Sequence, residues 1–171
     1  MEKSKLPLER SVTRLLAFAA MLAAGSAWGH GDAGHATKEV RQISTEETVF
    51  GREGNPKKVT RTVRVSMADT MRFTPSEGKI KRGETIRFVV RNDGKLMHEM
   101  VIGTMADLKQ HAELMKKHPG MAHEEPHMAH VAPAKTETLV WQFTKAGTFH
   151  FGCLEPGHFE AGMIGKVEVI E

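Results

Sequence analysis

Cys153, His158 and Met163 stand at C-x4-H-x4-M, in a short segment between two runs that alternate apolar and other residues. A thiolate, an imidazole and a thioether offered from one turn form a soft donor set, which favours copper over zinc, calcium or magnesium. Two nitrogens and a thiolate define a trigonal plane with the thioether at a longer axial distance, so a second imidazole is required. His98 is the best candidate. It follows the Asn92-Asp93-Gly94 turn and opens an apolar run, so the fold must carry it to the other three. Cys153 is the single cysteine, which excludes a disulfide framework. An inert buried thiol and a cysteine hydrolase are the competing readings, and no nucleophile loop opening a helix supports the second.

A further group of donors lies between Thr104 and Pro133. Thr104 can cap a helix on which Leu108, His111, Met115 and His118 form one stripe, read first as a face packed on the rest of the domain and second as a set of donors. The loop beyond Pro119 carries Met121, His123, His127, Met128 and His130, with Glu124 and Glu125 read as solvated charges. Thioethers prefer the cuprous ion and imidazoles accept either state, so His111, Met115, His118 and these loop residues are candidates for auxiliary copper. His150 falls on the strand face opposite Phe149, Phe151 and Cys153 and is read as a surface residue.

These donors need a rigid frame, and the alternation supplies one. Val63, Val65 and Met67, then Ile86, Phe88 and Val90, repeat with period two, and further strands are expected at 98–102, 138–143, 148–153 and 166–170. Gly78, Gly83 and Asn92-Asp93-Gly94 are expected turns. Short strands at this spacing predict an all-β Greek-key sandwich or barrel, with the helical Met/His-rich insertion at 104–133.

Ahead of this domain, residues 30–58 read as a polar extension broken by Gly31, Gly34, Gly51, Gly54 and Pro56. Residues 1–29 read as a signal peptide: Lys3, Lys5, Arg10 and Arg14 precede an apolar run at 15–24 and small residues at 25–29. The run is too short for a retained span of roughly 20 residues. Cleavage after Gly29 leaves His30 first, its amine and ring able to chelate together; cleavage after Ala27 leaves Trp28-Gly29-His30, a square-planar set suited to Cu(II). His30 therefore joins the auxiliary candidates. The basic pI of about 9.1 belongs largely to the signal, which removes four Lys/Arg and two Glu. No basic stripe remains to support a nucleic-acid role. The expected product is a periplasmic monomer with no membrane attachment after signal removal.

Residues 60–171 resemble the cupredoxins, the type 1 (blue) copper proteins, through Asp69-Thr70-Met71-Arg72-Phe73-Thr74-Pro75, Lys81-Arg82-Gly83-Glu84-Thr85-Ile86-Arg87-Phe88, His98-Glu99 and the Cys–His–Met loop. Within them the chain is most similar to periplasmic copper-tolerance cupredoxins of the CopI type. The resemblance implies His98, Cys153 and His158 as equatorial ligands, Met163 as axial ligand, and one-electron cycling between Cu(I) and Cu(II). Glu99 follows the first histidine where plastocyanin has Asn, so the bond by which that Asn braces the cysteine loop is not carried over. Met97 stands where azurin-like sites place a glycine, which disfavours a carbonyl ligand. His158 is the expected exit for an electron, with Pro156, Gly157 and Phe159 as the docking surface for a redox partner or copper-handling protein. Copper sequestration or delivery by the loop and the N-terminus is the alternative, and cuprous oxidation, the one enzymatic reading, is a third.

Overall fold

The computed structural model describes residues 42–119 and 123–171, so the expected signal peptide and the candidates His30 and Met121 lie outside the described residues. Among the described residues, eleven strands form two sheets. The first contains β1 (Glu47–Thr48), β2 (Gly51–Glu53), β3 (Arg61–Ala68), β4 (Arg72–Thr74), β6 (Thr85–Asn92) and β9 (Thr136–Gln142), in the order β1-β2-β9-β6-β3-β4. The second contains β5 (Glu77–Lys81), β7 (His98–Gly103), β8 (Met128–Val131), β10 (Gly147–Gly152) and β11 (Ile164–Ile170), in the order β5-β11-β10-β7-β8. Pairs β3–β6 and β5–β11 are parallel and the others antiparallel.

The alternating apolar residues meet between the sheets. Val65, Met67, Ile86, Phe88, Val90, Leu139 and Trp141 come from the first sheet, and Met100, Ile102, Phe149, Phe151, Val167 and Val169 from the second. Cys153 and Met163 belong to this same buried cluster. One position shows how close the packing is. A Cβ on Gly165 would lie 2.1 Å from Phe151 Cζ, so glycine admits the ring, which rests edge-on against Phe73 at 4.9 Å.

Three expectations change here. The polar extension is not irregular to its end: β1 and β2 join the first sheet, Phe50 stacks on Trp141 at 5.3 Å, and the Trp141 indole N–H donates to the Phe50 carbonyl at 3.1 Å. Gly78 is no turn; it pairs with Val167 on β5. Met128 to Val131 form β8, not loop, because their backbone completes the open edge of β7.

The helix α1 (Met105–Lys117) begins where Thr104 and Asp107 close a capping box: each side chain accepts the other's backbone N–H at 3.2 Å. Leu108, Ala112 and Met115 are its buried residues, and with Val101, Met128, Leu154 and Phe159 they form a second apolar cluster. The predicted stripe is thus right for Leu108 and Met115, while Ala112 takes the place of a histidine. Among the described residues no helix is long and apolar enough to cross a membrane.

Candidate metal centre

The second sheet ends in the site. His98 is the first residue of β7, and Cys153 follows β10 directly. Pairing of β10 with β7 sets Gly152 opposite Val101 and so brings the two strand ends together. Beyond Cys153 the chain folds back on itself. Cys153 N–H donates to Met163 carbonyl at 3.1 Å, Met163 N–H to His158 carbonyl at 3.0 Å, and Ala161 N–H to Gly157 carbonyl at 3.1 Å.

The result is a convergence of donors. Cys153 Sγ lies 3.3 Å from His158 Nδ1 and 3.8 Å from His98 Nδ1, and the ligand atoms of the three residues fall within 4.8 Å of one another. His98 and Cys153 are fully buried, and His158 is half-buried at the rim. Met163 is fully buried in the same cluster as Cys153, its backbone tied to both Cys153 and His158. Two imidazole nitrogens and one sulfur at such spacing fit a soft or borderline metal ion.

Two residues orient these donors, and their roles were not assigned from sequence. The His98 Nε2–H donates to Asp69 Oδ1 at 3.1 Å, which leaves the Nδ1 lone pair aimed toward the cysteine. Asp69 also accepts Lys95 N–H at 2.8 Å and Leu96 N–H at 3.3 Å. Those backbone bonds hold its carboxyl below the ordinary range, with His98 adding to the effect. Gly94 leaves room for it, since a Cβ there would sit 2.0 Å from Asp69 Oδ1.

Glu99 is the second. Its N–H donates to Cys153 Sγ at 3.4 Å, and its Oε1 accepts Leu154 N–H at 2.8 Å. The cysteine loop therefore has a brace after all, supplied by a carboxylate where plastocyanin has an amide.

Burial dominates the electrostatics. It pushes the Cys153 thiol up to about 12, against an ordinary 9.0, with N–H groups of Glu99 and Glu155 opposing the shift. Burial lowers the His158 pKa, with the charge of His98 acting in the same direction.

The auxiliary candidates separate. His111 and His123 meet with Nε2 atoms 2.8 Å apart, and burial followed by the His123 charge lowers the His111 pKa. The His123 and His130 rings lie 5.8 Å apart. His127 sits edge-on to Phe50 at 5.5 Å, and burial lowers its pKa. His118 is the exposed C-cap of α1. Met115 and Met128 are buried among apolar side chains, so these thioethers have the packing role that a solvated loop would deny them.

Two surface expectations also shift. His150 is half-buried, with its Nδ1 buried and unbonded. Phe159 is buried in the second cluster, which removes it from any docking face; Leu96 and Met97, beside His98, are exposed instead.

Residues 59–170 match the family described as copper binding proteins, plastocyanin/azurin family. The chain is 48% identical over 152 residues to a copper-resistant cuproprotein CopI of Rubrivivax gelatinosus, covering 89% of this chain and 90% of that one. It is 34% identical to a protein of the same name from Pseudomonas aeruginosa, covering 70% of this chain and 82% of the relative. In fold it is similar to the reduced auracyanin of Roseiflexus castenholzii, with a TM-score of 0.57 and 20% identity over 66% of this chain and 99% of that one.

Proposed function

Because the chain belongs to the plastocyanin/azurin family of copper-binding proteins, we propose that it is a periplasmic type 1 copper protein that contributes to copper tolerance. His98 Nδ1, Cys153 Sγ and His158 Nδ1 would hold the ion, with Met163 as the fourth and weaker donor. The observation that carries this reading is the convergence of those three atoms on a buried cysteine. The relatives named copper-resistant cuproproteins support the physiological part.

Copper bound there supplies a one-electron couple between its cuprous and cupric states. The protein's part is to keep the donors still. His98 is fixed at one ring nitrogen by Asp69, Cys153 by the Glu99 N–H, and the loop by its own main-chain bonds. Donors held in this way reorganise little when charge changes, which suits electron relay better than substrate turnover.

The test is optical. Copper added to the mature protein is expected to give an intense visible thiolate band, and Cys153→Ser to abolish it. A colourless copper complex of the folded wild type overturns the assignment.

A second reading, copper sequestration, has one specific observation in its favour: the close approach of His111 and His123. Bound copper should then fall by one equivalent in a His111→Gln/His123→Gln chain. Unchanged stoichiometry and unchanged protection of cells would end it.

A further inference from the structure

The pairing of β7 with β8 sets His130 opposite Glu99. Glu99 is 1% exposed. One of its oxygens is occupied by Leu154 N–H, and the other lies 2.9 Å from His130 Nδ1. The far nitrogen of that ring, Nε2, lies 3.0 Å from the His123 carbonyl oxygen. A carbonyl can only accept, so Nε2 carries the proton and a neutral ring has a lone pair at Nδ1. That lone pair faces a carboxylate oxygen, which likewise has no proton to donate. Glu155, from the loop between Cys153 and His158, brings a third acceptor: one ligand atom from each of Glu99, His130 and Glu155 falls within 4.8 Å of the others.

Three acceptors that converge at a buried carboxylate need positive charge between them. A proton on Nδ1 bridges His130 to Glu99 and leaves Glu155 facing a like charge. A divalent cation satisfies all three at once. One imidazole and two carboxylates suit zinc or the cupric ion, whereas cuprous copper prefers sulfur.

We propose that Glu99, His130 and Glu155 form a second metal site, of nitrogen and oxygen donors, for a divalent zinc or cupric ion. It is built on the same two chain segments as the Cys153 centre, since Glu99 follows His98 and Glu155 lies two residues beyond Cys153. It also assigns His130 separately from the His111–His123 pair.

The experiment uses the full mature chain, copper-loaded and oxidised, titrated with Zn(II) in equilibrium dialysis. One Zn(II) per chain is expected to bind at this cluster with an affinity that falls at least tenfold in Glu155→Gln and in His130→Gln, but not in His150→Gln. On Zn(II) addition to the reduced, diamagnetic cuprous protein the His130 Nδ1 nitrogen resonance should move to a metal-bound position. A second equivalent of Cu(II) should give a paramagnetic signal of nitrogen and oxygen ligation in wild type, weakened in Glu155→Gln. Wild-type Zn(II) stoichiometry and affinity in Glu155→Gln, a variant on a partly exposed loop, overturn the site even if His130→Gln fails to fold. A His130 Nδ1 resonance unmoved by saturating Zn(II) overturns it equally. The visible thiolate band of the same samples reports the first centre separately, so failure of either assignment is distinguishable from failure of the other.

Discussion

Under the proposed assignment, metal entry at Cys153 has to displace a proton held more tightly than in an ordinary thiol. Burial pushes the folded, metal-free thiol up to about 12 from 9.0, which leaves about one molecule in a hundred thousand as thiolate at pH 7. The three-unit difference corresponds to about 4 kcal/mol of burial working against the charged form, which the metal–sulfur bond must offset. His158, its proton affinity lowered by burial, adds no proton above pH 7. The apparent affinity for Cu(II) is therefore expected to rise about tenfold per pH unit between 7 and 9 through Cys153. Calorimetry in buffers of different ionisation enthalpy should count that released proton. The same shift acts on the metal-free fold with a definite sign. Between 9 and 12 the unfolded thiol is ionised while the folded one is not, so the folded state binds more protons and stability falls as pH rises. By pH 10 the loss is about 1 kcal/mol, measurable as a lower urea midpoint that Cys153→Ala does not show. An affinity flat from pH 7 to 9, with no proton released, would refute the reasoning, since the thiolate would then exist before the metal arrives.

Three further outcomes follow from the geometry. Met163→Leu keeps the buried volume, so its melting temperature should stay close to wild type, a cost below about 1.5 kcal/mol. Voltammetry should then find a higher reduction potential, because the cupric form loses a donor, and an unchanged potential removes Met163 from the copper's surroundings. Gly165→Ala drives a methyl into the Phe151 ring and should cost about 1–3 kcal/mol in denaturant unfolding; a neutral result means that the ring can move aside. Asp69→Ala frees the His98 ring and the Lys95–Leu96 backbone and should weaken copper binding by about 10–100-fold, with equal affinity showing that His98 is oriented by other contacts.

The sequence exposed those parts of the molecule whose signal is local. Val63, Val65 and Met67 alternate, and β3 is present from Arg61 to Ala68; Thr104 precedes a helical stripe, and its capping box forms. Strands β4, β5 and β8, of three to five residues, are too short to display a period, and β5 gains its place only through parallel pairing with β11. The Cys–His–Met loop was legible because its members share one turn, and His98 because it opens an apolar strand after a turn. Asp69 was visible only as part of a matching segment. Its bond to His98 spans 29 positions and depends on how the loop after β6 folds over it. Glu99 looked like a loss at its position, because a residue's partner across a sheet is fixed by register, and Leu154 and His130 cannot be read as its partners from spacing. Met115 and Met128 illustrate the opposite error: polarizable sulfur attracts a ligand reading, while their apolar surface is what the fold uses.

The main-chain bonds that close residues 153–163 make this segment a cassette. Its two ends, Cys153 and Met163, are clasped to each other, and Pro156 and Gly157 between them are exposed. Exposed residues such as Pro156 and Glu160 can be exchanged while the clasp, and the sulfur behind it, keeps its position, whereas Gly157, at φ +88, resists a side chain. Adaptation of this surface to new company can therefore be written in a handful of exposed codons, leaving the interior untouched.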